Sequence, residues 1–145
     1  MRIIVQRALD ASVEIDNNIV GKIDHGLVLL VGFTEGDSIK EIDYMVDKVI
    51  NLRIFDDNDG VMNKSLIDTN GSILSISQFT LYGDAKKGNR PSYILAMKND
   101  EAISLYEAFN EELRSYGVKV ETGVFGAEMD VSLVNIGPTT IWLEK

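Results

Sequence analysis

Arg2 to Leu9, with its apolar Ile3-Ile4-Val5, reads as a strand, and Ser12 to Asp16 alternates through Val13 and Ile15 with the two-residue period of a strand with one buried face. Asn17-Asn18 offers a turn into a further strand over Ile19 to Asp24, so the chain opens on a predicted β-hairpin. Leu27 to Phe33 is apolar throughout, which predicts a central strand covered on both faces. The period then changes. Ser38 followed by Glu41 is a capping-box pattern, and Ile39, Ile42, Met45, Val46, Val49 and Ile50 recur at helical spacing, predicting a helix from about Ser38 to Leu52. Ser72 to Leu81 returns to a β pattern, followed by a Gly/Lys-rich loop through Pro91. A second helix is predicted from Asn99 or Asp100 to Gly117, burying Ala102, Leu105, Tyr106, Phe109, Leu113 and Tyr116. Strands at Lys119 to Val124, Met129 to Ile136 and Thr140 to Leu143 close the chain. With no repeat, linker or low-complexity segment, the pattern predicts one α/β domain over residues 1–145, with two helices packed on mixed, barrel-like β layers.

Composition narrows the chemistry more than the fold. A chain of 145 residues has the length of one domain burying roughly 70% of its unfolded surface. No apolar run approaches the roughly 20 residues that span a bilayer, and the short apolar start, Ile3-Ile4-Val5, lacks a signal-peptide pattern, so a cytoplasmic address away from membranes is expected. The absence of cysteine removes thiol nucleophiles, disulfides and cysteine-ligated zinc. A single histidine, His25, would have to serve any triad or imidazole metal centre alone, and its place in Ile23-Asp24-His25-Gly26 reads as a turn. Asp56-Asp57-Asn58-Asp59-Gly60 fails as a calcium loop: with Gly60 at the sixth position, Phe55 falls at the first and Leu66 at the twelfth. It reads as a solvated turn, and neither metal nor cofactor is expected. A net charge of −9 argues against broad nucleic-acid binding, including DNA, while leaving room for a local basic site such as Lys86-Lys87-Gly88-Asn89-Arg90.

Two polar segments interrupt strand-like runs: Ser77-Gln78-Phe79-Thr80-Leu81, and Asn135-Ile136-Gly137-Pro138-Thr139-Thr140. A Gly-Pro step inside a strand pattern removes a ladder donor and bends the chain. These segments, with Lys87-Gly88-Asn89-Arg90-Pro91-Ser92-Tyr93 and Thr122-Gly123-Val124-Phe125-Gly126-Ala127, resemble the D-aminoacyl-tRNA deacylases, enzymes that hydrolyse D-amino acids from mischarged tRNA. The likeness runs nearly end to end, with weaker support from Leu52-Arg53-Ile54-Phe55 and Met62-Asn63-Lys64-Ser65-Leu66. The chain departs from the family pattern at Ile136, where Asp is common, and at Thr139, where an apolar residue is usual.

The resemblance implies a homodimer with active sites at the subunit interface, a tRNA substrate held by its 3′ acceptor end, and roles for particular residues. Backbone N–H groups around Phe79 and Thr80 would face the scissile carbonyl, with Ser77 and Gln78 holding the amino acid and the terminal nucleotide. Thr80 is the one visible nucleophile candidate, with no base beside it in sequence, so an orienting role stands next to a nucleophilic one. Asn135 and a cis Gly137-Pro138 would form a gate projecting carbonyl oxygens into the partner's pocket, rejecting L-side chains while passing D-residues and glycine; a trans Gly-Pro at a strand end is the alternative. Phe125, with Gly126 and Ala127, resembles the adenine pocket, or is an ordinary core aromatic. Lys86, Lys87 and Arg90 are the candidate phosphate contacts. Two other readings stand beside this one: an editing module of different amino-acid specificity, and a non-catalytic RNA-binding or scaffold protein on the same fold.

Overall fold

The computed structural model covers residues 1–145. Strands β1 (Arg2–Ile15) and β2 (Asn18–Gly32) are followed by helix α1 (Ile39–Asn51), a small hairpin of β3 (Phe55–Asp56) and β4 (Met62–Lys64), then β5 (Ser72–Ser77), α2 (Asn99–Ser115), β6 (Val120–Thr122) and β7 (Asp130–Glu144). Short 3₁₀ turns occupy Ile67–Thr69 and Phe79–Tyr82. The main sheet runs β6-β5-β2-β1-β7. It is mixed: β1 lies antiparallel to β2 and β7, whereas β2, β5 and β6 are parallel. The sheet stays open, with β6 and β7 as its edges, rather than closing as the barrel-like reading expected.

The opening hairpin is longer and tighter than its pattern suggested. The predicted strands on each side fuse into β1 and β2, and the turn falls one residue early, on Asp16 and Asn17, whose φ angles of 50° and 63° supply the left-handed conformation that a two-residue hairpin needs. His25 is accordingly a strand residue opposite Leu9, its Nε2 3.2 Å from the Thr69 carbonyl, and not a turn residue. The Leu27–Phe33 run is central and buried almost throughout, as predicted.

Each helix buries one face on the sheet. Ser38 caps α1 through the expected box, its N–H donating to the Glu41 carboxylate at 2.8 Å and its Oγ accepting from the Lys40 N–H at 3.3 Å. Ile42, Met45, Val49, Phe109 and Leu113 then pack with Ile3, Val5, Leu27, Leu29 and Ile73 of the sheet. Each full burial of such a side chain is worth about 1.5–3 kcal/mol, well above any difference in helix propensity. Tyr116 leaves the predicted stripe: α2 ends at Ser115, Gly117 takes φ +78°, and the tyrosine ring is 44% exposed. The other sheet face carries a second core of Ala8, Ala11, Val13, Ile23, Leu74 and Ile76, covered in part by Met129, Val131 and Leu133.

Two departures create the functional region. The β pattern predicted to Leu81 stops at Ser77: Gln78 N–H makes a last bond to the Val31 carbonyl at 2.7 Å, and Phe79–Tyr82 coils into a 3₁₀ turn. The last two predicted strands are one strand, β7, which pairs with β1 on both sides of residues 136–139. Side-chain bonds bridge that interruption, so the strand continues through the Gly-Pro step.

Candidate active site

At the C-terminal end of β5 a cavity of about 520 Å³ opens between the sheet, the Tyr93–Ala102 segment and the chain after β6. Its walls bring together Ser77, Gln78 and Phe79 with Phe125, Gly126 and Ala127, segments that lie far apart in the sequence. The volume lies within the range of small-molecule clefts. No Asp, Glu, Lys, Arg or His lines it.

The floor is set by the 3₁₀ turn. The first N–H groups of such a turn have no acceptor inside it, so Phe79 and Thr80 present donors at the cavity end of β5. Arg2 fixes the far side: its guanidinium donates to the Leu81 carbonyl at 2.9 Å, pairs with Glu144 at 2.7 Å and lies 4.3 Å from the centre of the Tyr82 ring. Burial pushes the Tyr82 phenol up. The Gln78 amide donates to the Thr80 hydroxyl, and Thr80 is exposed rather than set into the cavity wall. Phe79 meets Tyr93 edge-on at 5.1 Å and is 56% exposed, which puts an apolar rim at the mouth.

Phe125 lies opposite. Its ring packs against Tyr106 at a centroid distance of 5.9 Å, and Tyr106 reaches through the core to donate to the Ser75 carbonyl at 2.8 Å. Desolvation raises the Tyr106 phenol, which therefore stays protonated as a donor. Phe125 is half-buried, so it serves both as a core neighbour and as a cavity wall.

Asn135, Gly137 and Pro138 sit elsewhere. The Gly137-Pro138 bond is cis, both residues are exposed, and neither lines the cavity of its own chain. The Asn135 Oδ1 accepts from the Thr139 N–H at 3.0 Å and its amide donates to the Thr140 hydroxyl at 2.9 Å, spanning the bend. Beneath it Arg7, only 8% exposed, donates to the carbonyls of Ile136 at 3.3 Å and Ile54 at 2.9 Å and pairs with Asp56 at 3.2 Å. Thr139, one of the two departures from the family pattern, is buried and supplies the N–H that Asn135 holds.

Lys86, Lys87 and Arg90 are exposed in the loop whose stem is closed by mutual bonds of 2.8 Å between Asp84 and Ser92; they line no part of the cavity. No motif marks Arg2, Arg7 or Tyr106 as site residues. Arg7 left a signal: it occupies the buried position after Ile3 and Val5 in an otherwise apolar alternation. Arg2 left none, because the carbonyl it holds lies 79 residues away, and Tyr106 showed only as a position on the buried helical stripe, its hydroxyl partner lying 31 residues away.

The family model described as D-Tyr-tRNA(Tyr) deacylase matches residues 4–144. A D-aminoacyl-tRNA deacylase of Anoxybacillus flavithermus is 57% identical over 100% of this chain and 99% of its own length, and one of a Geobacillus species is 54% identical over 100% and 95%. Among solved structures, one described as c-Myc DNA Unwinding Element Binding Protein superposes with a TM-score of 0.94 at 40% identity, covering 100% of this chain and 99% of the other. Another, described as a probable eukaryotic D-amino acid tRNA deacylase, gives 0.84 at 19% identity over 98% and 97%, a likeness of fold.

Proposed function

The chain belongs to the D-Tyr-tRNA(Tyr) deacylase family, and from that footing we propose that residues 1–145 work as one D-aminoacyl-tRNA deacylase domain in the cytoplasm. The observation that carries the reading is the uncharged cavity at the end of β5, where the Ser77–Phe79 segment faces Phe125. An aminoacyl ester is already activated, so the enzyme has to orient it and stabilise the developing oxyanion rather than supply a strong base. Water adds to the ester carbonyl, negative charge collects on its oxygen against the Phe79 and Thr80 N–H groups, and the bond to the ribose oxygen breaks to give the free D-amino acid and tRNA. The 2′-hydroxyl of the terminal adenosine assists this transfer. Ser77 and Gln78 hold the aminoacyl and ribose portion, and Phe125, Gly126 and Ala127 form the adenine pocket. The bond from Gln78 to Thr80 favours the orienting role for Thr80.

Chirality is read by a second copy of the chain. Gly137-Pro138 is exposed, braced by Asn135 and Arg7, and away from the cavity of its own chain, which supports a gate acting in trans across a homodimer. Carbonyl oxygens entering the partner's cavity collide with an L-side chain, whereas D-residues and glycine pass; selectivity comes from rejection. Gly-tRNA is therefore a substrate too, and kcat/KM varies little among D-amino acids beside the D-to-L ratio. Lys86, Lys87 and Arg90 meet phosphates at the acceptor end, giving a shallow salt dependence. With a net charge of −9, the DNA association named for the structural neighbour is not extended to this chain.

Deacylation of D-Tyr-tRNA, L-Tyr-tRNA and Gly-tRNA at equal folded concentration tests the activity: fast D and glycine with slow L is expected, and no turnover would favour a binding or scaffold role. Mixing tests the gate in trans. A Gly137→Ala chain, with an altered gate, is combined with an Ala127→Trp chain, with a filled cavity. Heterodimers should recover D-over-L discrimination that the first variant lacks; a D-to-L ratio unchanged by mixing would place the gate in the same chain.

A further inference from the structure

We propose that Tyr106 is a positioning residue that sets the distance between the adenine wall and the oxyanion turn, an inference that rests on the deacylase reading. One carbonyl carries the argument. The Ser75 C=O accepts the Tyr106 hydroxyl at 2.8 Å and the Gly123 N–H at 3.3 Å. Ser75 lies on β5 two residues before Ser77, and Gly123 follows β6 two residues before Phe125, so this one acceptor joins the two walls of the cavity. Tyr106 closes the triangle, because its ring also packs on Phe125 at 5.9 Å.

The hydroxyl is buried where it bonds, beside the Ser75 and Asn110 side chains. Tyr106 is 4% exposed, and its hydroxyl bond to the Ser75 carbonyl ties α2 to β5 at the junction. Pairing between β5 and β6 extends only from Ile73 to Ser75 and from Val120 to Thr122. Beyond that point the parallel ladder no longer holds the strands together, and the tyrosine supplies a cross-link where the walls diverge towards the cavity. Tyr106 does not line the cavity at the end of β5, so its hydroxyl acts on that site through Ser75 and Phe125. Its loss lets Phe125 move relative to the turn, weakening the hold on the terminal adenosine more than the hydrolytic step.

The test is Tyr106→Phe, which keeps the ring and removes only the hydroxyl, with Phe125→Leu and the double variant, assayed on D-Tyr-tRNA. Stacking on an aromatic is worth about five- to 150-fold in binding, and Phe125→Leu should raise KM within that range. Tyr106→Phe should raise KM by about fivefold and change kcat by less than about twofold. In the double variant the tyrosine change should add almost nothing, since both act through the same ring position. Thermal melts set an assay temperature at which every variant is folded, and constants are referred to folded protein. Tyr106→Phe within twofold of wild type in both constants, or a KM effect fully additive with Phe125→Leu, would overturn the proposal. A fall confined to the melting temperature would reduce Tyr106 to a core residue. Wild-type protein without turnover on D-Tyr-tRNA is a separate outcome that removes the deacylase reading itself.

Discussion

Replacing Gly137 by alanine should damage stability and chirality together. Gly137 has φ +118°, a conformation that costs an L-residue about 1–3 kcal/mol. An added Cβ would also lie 2.6 Å from Thr139 Oγ1, 3.0 Å from the Thr139 nitrogen and 3.2 Å from an Arg7 guanidinium nitrogen. Thr139 is only 5% exposed and its backbone N–H is held by Asn135, so the contact with its nitrogen is not relieved by turning the side chain. Overpacking of that kind costs a further 1–3 kcal/mol or so. The sum, about 2–6 kcal/mol, corresponds to a fall in melting temperature of about 4 °C or more at this chain length.

Gly88→Ala is the matched control. Gly88 has φ +109° but nothing within 4 Å of its added Cβ, so it incurs the conformational cost without the collision. Differential scanning calorimetry should rank the chains wild type, Gly88→Ala, Gly137→Ala in falling stability. Deacylation assays should show the D-to-L ratio of Gly137→Ala reduced by at least about tenfold, the equivalent of 1.4 kcal/mol, with Gly88→Ala unchanged. A Gly137→Ala chain that melts within about 1 °C of Gly88→Ala would refute the steric reasoning. One that is destabilised yet keeps its D-to-L ratio would refute the gate.

Two further expectations are simpler. Thr80→Ala should retain measurable deacylation in single-turnover assays, because the hydroxyl is engaged by Gln78 and no base adjoins it; a rate at the uncatalysed background in folded protein would restore Thr80 as nucleophile. In acid, the Ser65 N–H holds the Asp68 carboxyl below its usual range, the Val61 N–H does so for Asp57, the Ser38 hydroxyl for Glu41 and the Arg2 guanidinium for Glu144. Groups lowered by folding contribute stability that is complete above their unfolded values, about 4, and is lost as pH falls through the folded ones, so urea midpoints should drop below about pH 4 and Asp68→Asn should flatten that drop.

Local signals made much of the fold legible. The capping box fixed the start of α1 within one residue, since both halves of the motif lie in the sequence. The Leu27–Phe33 run announced the central strand because burial on both faces removes polar alternation. The β5 terminus was not legible: Phe79, Leu81 and Tyr82 are as compatible with a strand as with the 3₁₀ turn they form, and the choice is made by where the pairing with β2 ends. Continuity of β7 was hidden for a related reason, because Asn135 side-chain bonds carry the strand past a Gly-Pro step that breaks a backbone ladder. About a third of the cavity lining was legible through the Ser77 and Phe125 segments. Tyr93 closes the Lys87–Tyr93 motif; the rest, mainly Val31 to Phe33, Ile76, Ala96 to Ala102, Met129 and Val131, is largely apolar lining that the fold brings together and no motif marks.

The composition of that lining also determines how the rate should respond to pH. Tyr93 is the cavity's one residue with a titratable side chain, and the single histidine is committed to the sheet beside Thr69. A catalyst working through a general base shows an inflection at the pKa of that base. One working through fixed backbone donors stabilises the oxyanion equally at every pH, each donor contributing about 2.7–4 kcal/mol, and passes on the pH dependence of the attacking oxygen. Single-turnover rates on D-Tyr-tRNA should therefore rise steadily between about pH 5.5 and 8.5, with no inflection in the imidazole range, and His25→Gln should follow the same line. An inflection near pH 6.5 that disappears in His25→Gln would put a proton-transfer group into the mechanism and displace the backbone turn from its central part.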